Sequence, residues 1–370
     1  MNRKKRLVVI LAVLLLLAAV VLVAIMQAKG ISPKDLFADR EEREILTGGK
    51  TDELSYQNGD DGAFGFAGER LIVASQHSIR IYNFGGEEVF TQSTIMTRPA
   101  INICGEAAVV FDIGGKELDI IDENEQVKTL TAEGEIVSAA LNENGWMALC
   151  AQESGYNGTV TVYNKTGKPV YKWYSGEGYV LGARVSPNNK KLAVLTVDGS
   201  GSKVSFFKLS SEDVQGTYEI AELGMEIVWL GSDRLALLSD SGVTYMTTQG
   251  EEKAKYIFED PSLRNIDFRE DGGFAAALSP FQVGTEGTLI SVSKEGEELG
   301  SIDIREEVLD ISVCEEYIGV LYSGRILVYT KDLQVWAEFN GTGTTQEIQV
   351  LSDGRVIAAG DFSSAIYSIE

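Results

Sequence analysis

A turn recurs eight times along this chain, each time just before a strongly apolar run. It reads Ala67-Gly68-Glu69 before RLIVAS, Cys104-Gly105-Glu106 before AAVVF, and Glu143-Asn144-Gly145 before WMALCA. It continues as Pro187-Asn188-Asn189 before KLAVLT, Gly231-Ser232-Asp233 before RLALLS, and Glu270-Asp271-Gly272 before FAAAL. Glu315-Glu316 before YIGVLY and Ser352-Asp353-Gly354 before RVIAAG complete the series. Taken at residues 68, 105, 145, 189, 232, 272, 316 and 354, the steps are 37, 40, 44, 43, 40, 44 and 38 residues. A period of this length marks an array of identical supersecondary units, each unable to bury its apolar faces alone.

Each period holds a further strand-like run after a variable loop, such as SIRIYNF, TVTVYN, KVSFFKL or RILVYT. A second turn and a more polar fourth run follow, as in EEVFTQ, QVKTLT and PVYKWY. Four short strands in about forty residues describe a propeller blade. The expected fold is therefore all-β: an eight-bladed β-propeller over 51–370, with seven blades as the alternative count. The eighth period stops after its third strand, and TDELSYQ at 51–57 precedes the first with no blade of its own. That segment is expected to supply the missing outer strand and close the ring.

Ahead of the repeats, 7–26 reads LVVILAVLLLLAAVVLVAIM, with no charge and fifteen Leu, Val or Ile. Twenty helical residues span about 30 Å, the thickness of a bilayer's hydrocarbon core. Insertion of those fifteen side chains is favourable by roughly 5–9 kcal/mol. The run is long for a cleaved signal peptide and ends in Met26-Gln27-Ala28, a poor small-x-small site. Arg3, Lys4, Lys5 and Arg6 precede it, so 1–6 is expected on the cytoplasmic side and the remainder outside. The expected location is the cell membrane, as a single-pass signal-anchor protein with an extracytoplasmic domain. Between span and repeats, 27–50 is read as a stalk: Ser32-Pro33 opens a helix, KDLFADREEREIL continues it, and Gly48-Gly49 stops it.

Charge narrows the partners. The net charge is −23, and setting aside the four N-terminal cations leaves −27 on the rest. Such a surface repels phosphate backbones, so nucleic acid is not an expected partner. The three Cys (104, 150 and 314) are far apart, each in an apolar run, and read as small buried hydrophobes, with one disulfide an alternative in an oxidising compartment. With a single His and no CxxC pair, no metal and no cofactor is expected.

The unit ARVSPNNKKLAVLTVDGSGSKVSFFKL carries Ser186-Pro187-Asn188-Asn189 before a Leu-Ala strand and resembles the WD40-like blades of TolB-type propellers. VTVYNKTGKPVYKW, with Thr166-Gly167 and Tyr171, is similar to a quinoprotein-like repeat, although Trp173 falls two residues beyond the aromatic position. The mixture resembles membrane-anchored propellers of Gram-positive bacteria. The Trp-Asp dipeptide with its Gly-His partner, the mark of eukaryotic WD40 blades, is missing. The resemblance implies a fold; function has to come from a site.

Two kinds of site are legible. The loops after second strands at 151–158, 198–202 and 279–287 are long and should share one face with the loops between units. Tyr156, Tyr174, Tyr179, Phe281, Arg98 and His77 lie on them and are the candidate binding residues for a protein or cell-wall polymer. This makes a non-catalytic binding platform the leading expectation. The alternative is an extracytoplasmic glycan or ester hydrolase. It would use His77 with Ser75 or Ser78, or carboxylates such as Asp267, Asp303 and Asp310 placed on channel-lining first strands.

Overall fold

The structure, a computed structural model, describes residues 45–55, 62–83, 87–211, 213–260, 262–281, 284–360 and 363–369. The expected basic tail, the apolar run at 7–26 and most of the expected stalk lie outside these residues. Among the described residues no helix is long and apolar enough to cross a membrane.

The described residues form 32 strands and no helix. They are organised as antiparallel four-strand meanders, each strand beside its sequence neighbour. The third unit, for example, runs through Glu135–Leu141, Met147–Gln152, Thr159–Tyr163 and Pro169–Tyr174. Six such units stand as separate four-stranded sheets, while the last two share one eight-stranded sheet.

The shared sheet exists because of the strand Leu46–Ser55. It fills the fourth place of the last unit, antiparallel to Ser363–Ile369 from Gly48↔Ile369 to Ser55↔Ser363. Its first residues also run parallel to Val335–Asn340 of the seventh unit, with Leu46 opposite Ala337 and Gly48 opposite Phe339. The expected closing strand is therefore present but starts five residues before 51, inside the segment read as helical stalk. Gly48 is not a helix stop. It is the residue at which the strand passes from one partner to the other. The open edge of Ser363–Ile369 offers a ladder of hydrogen-bond partners, and such tertiary pairing outweighs weak helix propensity.

Both faces of each unit are buried, as the two-residue period of a strand requires. In the fourth unit Leu192, Val194 and Phe207 pack toward the third, while Ala193, Leu195, Val204 and Phe206 pack toward the fifth. Similar clusters join every successive pair of units. A last one sets Phe64, Phe66 and Leu71 of the first unit against Ile357 and Ala359 of the last, so the packing returns to its start.

The recurring turns also have a physical basis. Gly68, Gly105, Gly145, Asn189, Gly272 and Gly354 all take positive φ between first and second strands, where Gly or Asn is least strained. Between third and fourth strands a short polar side chain caps the turn. Asn164 Oδ1 accepts from the amides of Thr166 and Lys168 at 3.1 and 3.0 Å, and Asp122 Oδ1 from Asn124 and Gln126 at 2.8 and 2.9 Å.

Candidate functional site

The fourth unit stands out from its neighbours. Its second and third strands, Lys191–Asp198 and Gly201–Lys208, have eight residues each. The segment 198–202 is thus not a long loop, as its composition suggests, but a tight hairpin carried outward by longer strands. Asp198 Oδ1 caps it, accepting from the Ser200 amide at 2.7 Å and the Ser200 hydroxyl at 2.6 Å. Those bonds, the side-chain one foremost, hold the Asp198 carboxyl below the usual carboxylate range.

Beside this hairpin lies the outer strand of the third unit, PVYKWY. Alternation turns Tyr171 and Trp173 inward onto Phe207, with ring centroids 6.4 and 5.3 Å away. The same alternation turns Lys172 and Tyr174 outward. Tyr174 stacks on Tyr156 with centroids 4.5 Å apart, and the two rings are 42% and 51% exposed. Lys172 Nζ sits 5.0 Å from the Tyr174 ring centre, 2.8 Å from Glu153 and 2.5 Å from Glu133. Burial works to lower the Lys172 pKa, but the hydrogen bonds from these carboxylates outweigh it and hold it above the ordinary lysine value. Tyr179 opens the first strand of the fourth unit and is 58% exposed. Asn157, next to Tyr156, accepts from the Val180 amide at 3.3 Å, which draws this loop toward Tyr179.

Between the third and fourth units a cleft of about 760 Å³ opens. Trp173 and Phe207 line it at one end, with Ser205, Lys203, Thr217 and Glu219 along its wall. Val194 pairs with Ser205 in the fourth unit, a position that is aliphatic in the sixth and seventh units (Ile290, Leu327) but polar in the first, second, third and fifth (Arg80, Asp119, Thr161, Thr244). Ser205 is one wall of the cleft.

The six candidate binding residues are thus only partly brought together. Tyr156 and Tyr174 touch, and Tyr179 lies just beyond Gly176 and Glu177, which line the cleft; none of the three tyrosines lines it. Phe281 stands on the sixth unit, its carbonyl accepting from Arg264 Nη2 at 2.7 Å. Arg98 lies between the first two units, its amide donating to Asp112 Oδ1 at 2.7 Å. His77 is exposed in the first unit, in a turn where Ser75 Oγ accepts from the amides of residues 77 and 78. The Ser75 hydroxyl serves that turn. Sequence reasoning named the aromatics but missed the cleft.

The channel carboxylates have another role. A first strand has a sheet neighbour on one side only, so its other edge needs partners. Asp267 Oδ2 accepts from the Val313 amide of the next unit and Asp310 Oδ2 from Ile348, both at 2.8 Å. Ser312 Oγ and Asn102 Oδ1 do the same for the amides of Val350 and Leu141, each at 3.0 Å. These side chains stitch inner strands to one another. Burial pushes Asp267 and Asp310 up to about 6, against the pull of the donated amides. Asp303 is not on a first strand; it is exposed on the outer strand Glu298–Ile304.

All three cysteines are free thiols. Cys150 is buried, and that burial pushes its thiol up to about 11, which suppresses the reactive thiolate.

Comparison with known proteins agrees with this architecture. BamB from Moraxella catarrhalis superposes with a TM-score of 0.59 at 12% identity, covering 87% of this chain and 99% of that one. The C-terminal WD40 domain of Sif2 gives 0.61 at 11%, covering 88% and 99%. Kluyvelomyces marxianus Hsv2 gives 0.51 at 11%, covering 76% and 97%. At such identities the likeness concerns the fold, which is a β-propeller-like all-β domain. No curated protein has a matching sequence. A family model does match residues 50–357, and the chain belongs to that family, described as the family of unknown function DUF5711.

Proposed function

We propose that this chain is a non-catalytic binding or scaffold protein: an eight-bladed propeller tethered by 7–26 on the outer side of a cell membrane. It engages a protein or cell-envelope polymer through the exposed surface that carries Tyr156, Tyr174 and Tyr179. The observation that carries the reading is a pair of tyrosines in ring contact that both remain about half exposed. Aromatic side chains exposed around a depression supply large contact area at low entropic cost. Eight inter-unit clusters, the last joining the final unit to the first, support the blade count. The engagement of Asp267 and Asp310 by backbone amides, and of Ser75 by its own turn, favours a structural use of the groups a hydrolase would need.

Crosslinking in intact cells, followed by mass spectrometry, tests this reading. Full-length protein should yield a recurrent envelope partner, and a Tyr156→Ala/Tyr174→Ala variant should lose it. Protease added outside intact cells should digest the domain. A protected domain, or crosslinks indifferent to both tyrosines, overturns the proposal.

A further inference from the structure

The cleft between the third and fourth units has a chemistry of its own. At about 760 Å³ it falls within the ~300–1,000 Å³ range of small-ligand sites. Trp173, itself stacked on Phe207, supplies a flat apolar surface. Around it stand hydroxyls. Those of Thr196, Ser200 and Ser202 have partners in the protein: the Lys203 carbonyl, Asp198 and the Gly224 amide. Those of Ser205 and Thr217 make no hydrogen bond among the described residues, although Ser205 is only 7% exposed. Neither oxygen is sealed from solvent, so each can meet a polar ligand or water in the cleft.

The charges narrow the ligand further. Glu177, Asp198 and Glu219 line the cleft with Lys203 as the one cation. Lys203 is paired with Glu219 at 3.0 Å. An anionic ligand would meet carboxylates and a cation already neutralised. An uncharged or amine-bearing ligand would not. A flat apolar platform, free hydroxyls and excess carboxylate together suit a molecule with apolar C–H faces and a perimeter of hydroxyl or amine donors.

Resting on the platform reading above, we infer that this cleft binds a neutral or amine-bearing oligosaccharide. Trp173 stacks beneath a sugar ring, the hydroxyls of Ser205 and Thr217 hydrogen-bond its edge, and Asp198 and Glu177 receive donors at the mouth.

The test is calorimetric titration of the full-length protein in detergent with four probes: chitohexaose, its fully de-N-acetylated amine form, hexagalacturonate and a Gly/Lys hexapeptide. Chitohexaose and the amine hexamer should bind, and hexagalacturonate should bind at least tenfold more weakly. Ser205→Leu places in the cleft the side chain that the seventh unit already carries there, so it should fold and weaken both binding probes at least tenfold. Thr217→Val, a smaller change, should weaken them several-fold. Failure of both sugars to bind, equal binding of the anionic sugar, tighter binding of the peptide, or indifference to Ser205→Leu and Thr217→Val each overturns the inference. If the sugars fail while the tyrosine-dependent crosslinks persist, the platform stands and the cleft assignment falls. If the crosslinks fail while the sugars bind as described, the platform reading falls by itself.

Discussion

Between the seventh and eighth units, Phe339 packs on Tyr367 with centroids 5.9 Å apart, and Leu46–Ser55 hydrogen-bonds to strands of both units. Between the third and fourth, Phe207 and Trp173 meet, but a cleft of about 760 Å³ stays open beside them. The same repeat thus builds one seam that is doubly held and one that is underfilled. Connectivity explains the difference. The third and fourth units are joined by a few residues of chain, as are the seventh and eighth, but the latter seam also holds the closing strand. The closing strand and the last unit come from opposite ends of the repeat region, and only non-covalent contacts keep them together. A cleft is tolerable in the first seam and would be ruinous in the second.

The largest effect should therefore come from breaking the doubly held seam. A Cβ on Gly48 would overlap the Ser368 carbonyl oxygen and lie 2.6 Å from the Phe339 ring. Gly48→Val should cost about 3 kcal/mol or more, read as a lower midpoint in chemical denaturation. Gly49→Ala is the control, because no atom lies within 4 Å of its Cβ position. It should stay within about 0.5 kcal/mol. Equal costs at both positions would mean that the strand's switch of partner does not hold the seam.

Next come the stitches at the inner strands, which both seams share. Asp310→Ala leaves the Ile348 amide without its acceptor and should cost about 1–3 kcal/mol, while Asp310→Asn keeps an acceptor and should cost less. The pH response has a definite sign. Burial raises Asp267 and Asp310 to about 6 in the fold, against about 4 in an unfolded chain. Between these limits the folded state binds more protons, so stability falls as pH rises through 4–6. The denaturation midpoint should be higher at pH 5 than at pH 7.5, and Asp310→Asn should shrink that difference. A midpoint that rises with pH across this window would show that these carboxyls are not desolvated.

What could be read in advance follows from what repeats. The eight turns, the alternating second strands and the missing outer strand are periodic features, and the periodicity located them in the chain. The closing strand's true start was hidden, because EREIL followed by Thr47-Gly48-Gly49 has the local grammar of a helix end. Only the open edge of Ser363–Ile369, more than three hundred residues away, makes it a strand. Asp267 and Asp310 were visible as carboxylates on inner strands, but their engagement by the next unit's amides is a matter of register that spacing does not encode. Ser205 carried no such signal, because the paired position is also polar in the first, second, third and fifth units.

Filling the open seam should have a smaller and opposite effect on stability. Ser205→Leu buries a side chain where the sixth and seventh units already bury Ile290 and Leu327, and full burial of a Leu is worth about 1.5–3 kcal/mol. Part of that gain is lost because the cleft is wide and the repacking incomplete. A net stabilisation of about 1 kcal/mol is expected, visible as a raised thermal midpoint. Destabilisation instead would mean that the cleft's walls cannot close on an aliphatic group, and the comparison with the sixth and seventh units would fail.

The smallest effect on stability should come from the exposed tyrosines. Tyr156 and Tyr174 gain about 0.5–1.5 kcal/mol from their ring contact, less at half exposure, and neither belongs to a buried cluster. Tyr156→Ala should therefore lower stability by under about 1 kcal/mol while abolishing the partner crosslink. That separation is what distinguishes a docking surface from a brace. A structural tyrosine loses stability and function together, whereas a recognition tyrosine loses function alone. If Tyr156→Ala costs more than about 2 kcal/mol, the stacked pair is holding the 153–158 loop against the outer strand, and this surface gives up its claim to be where a partner docks.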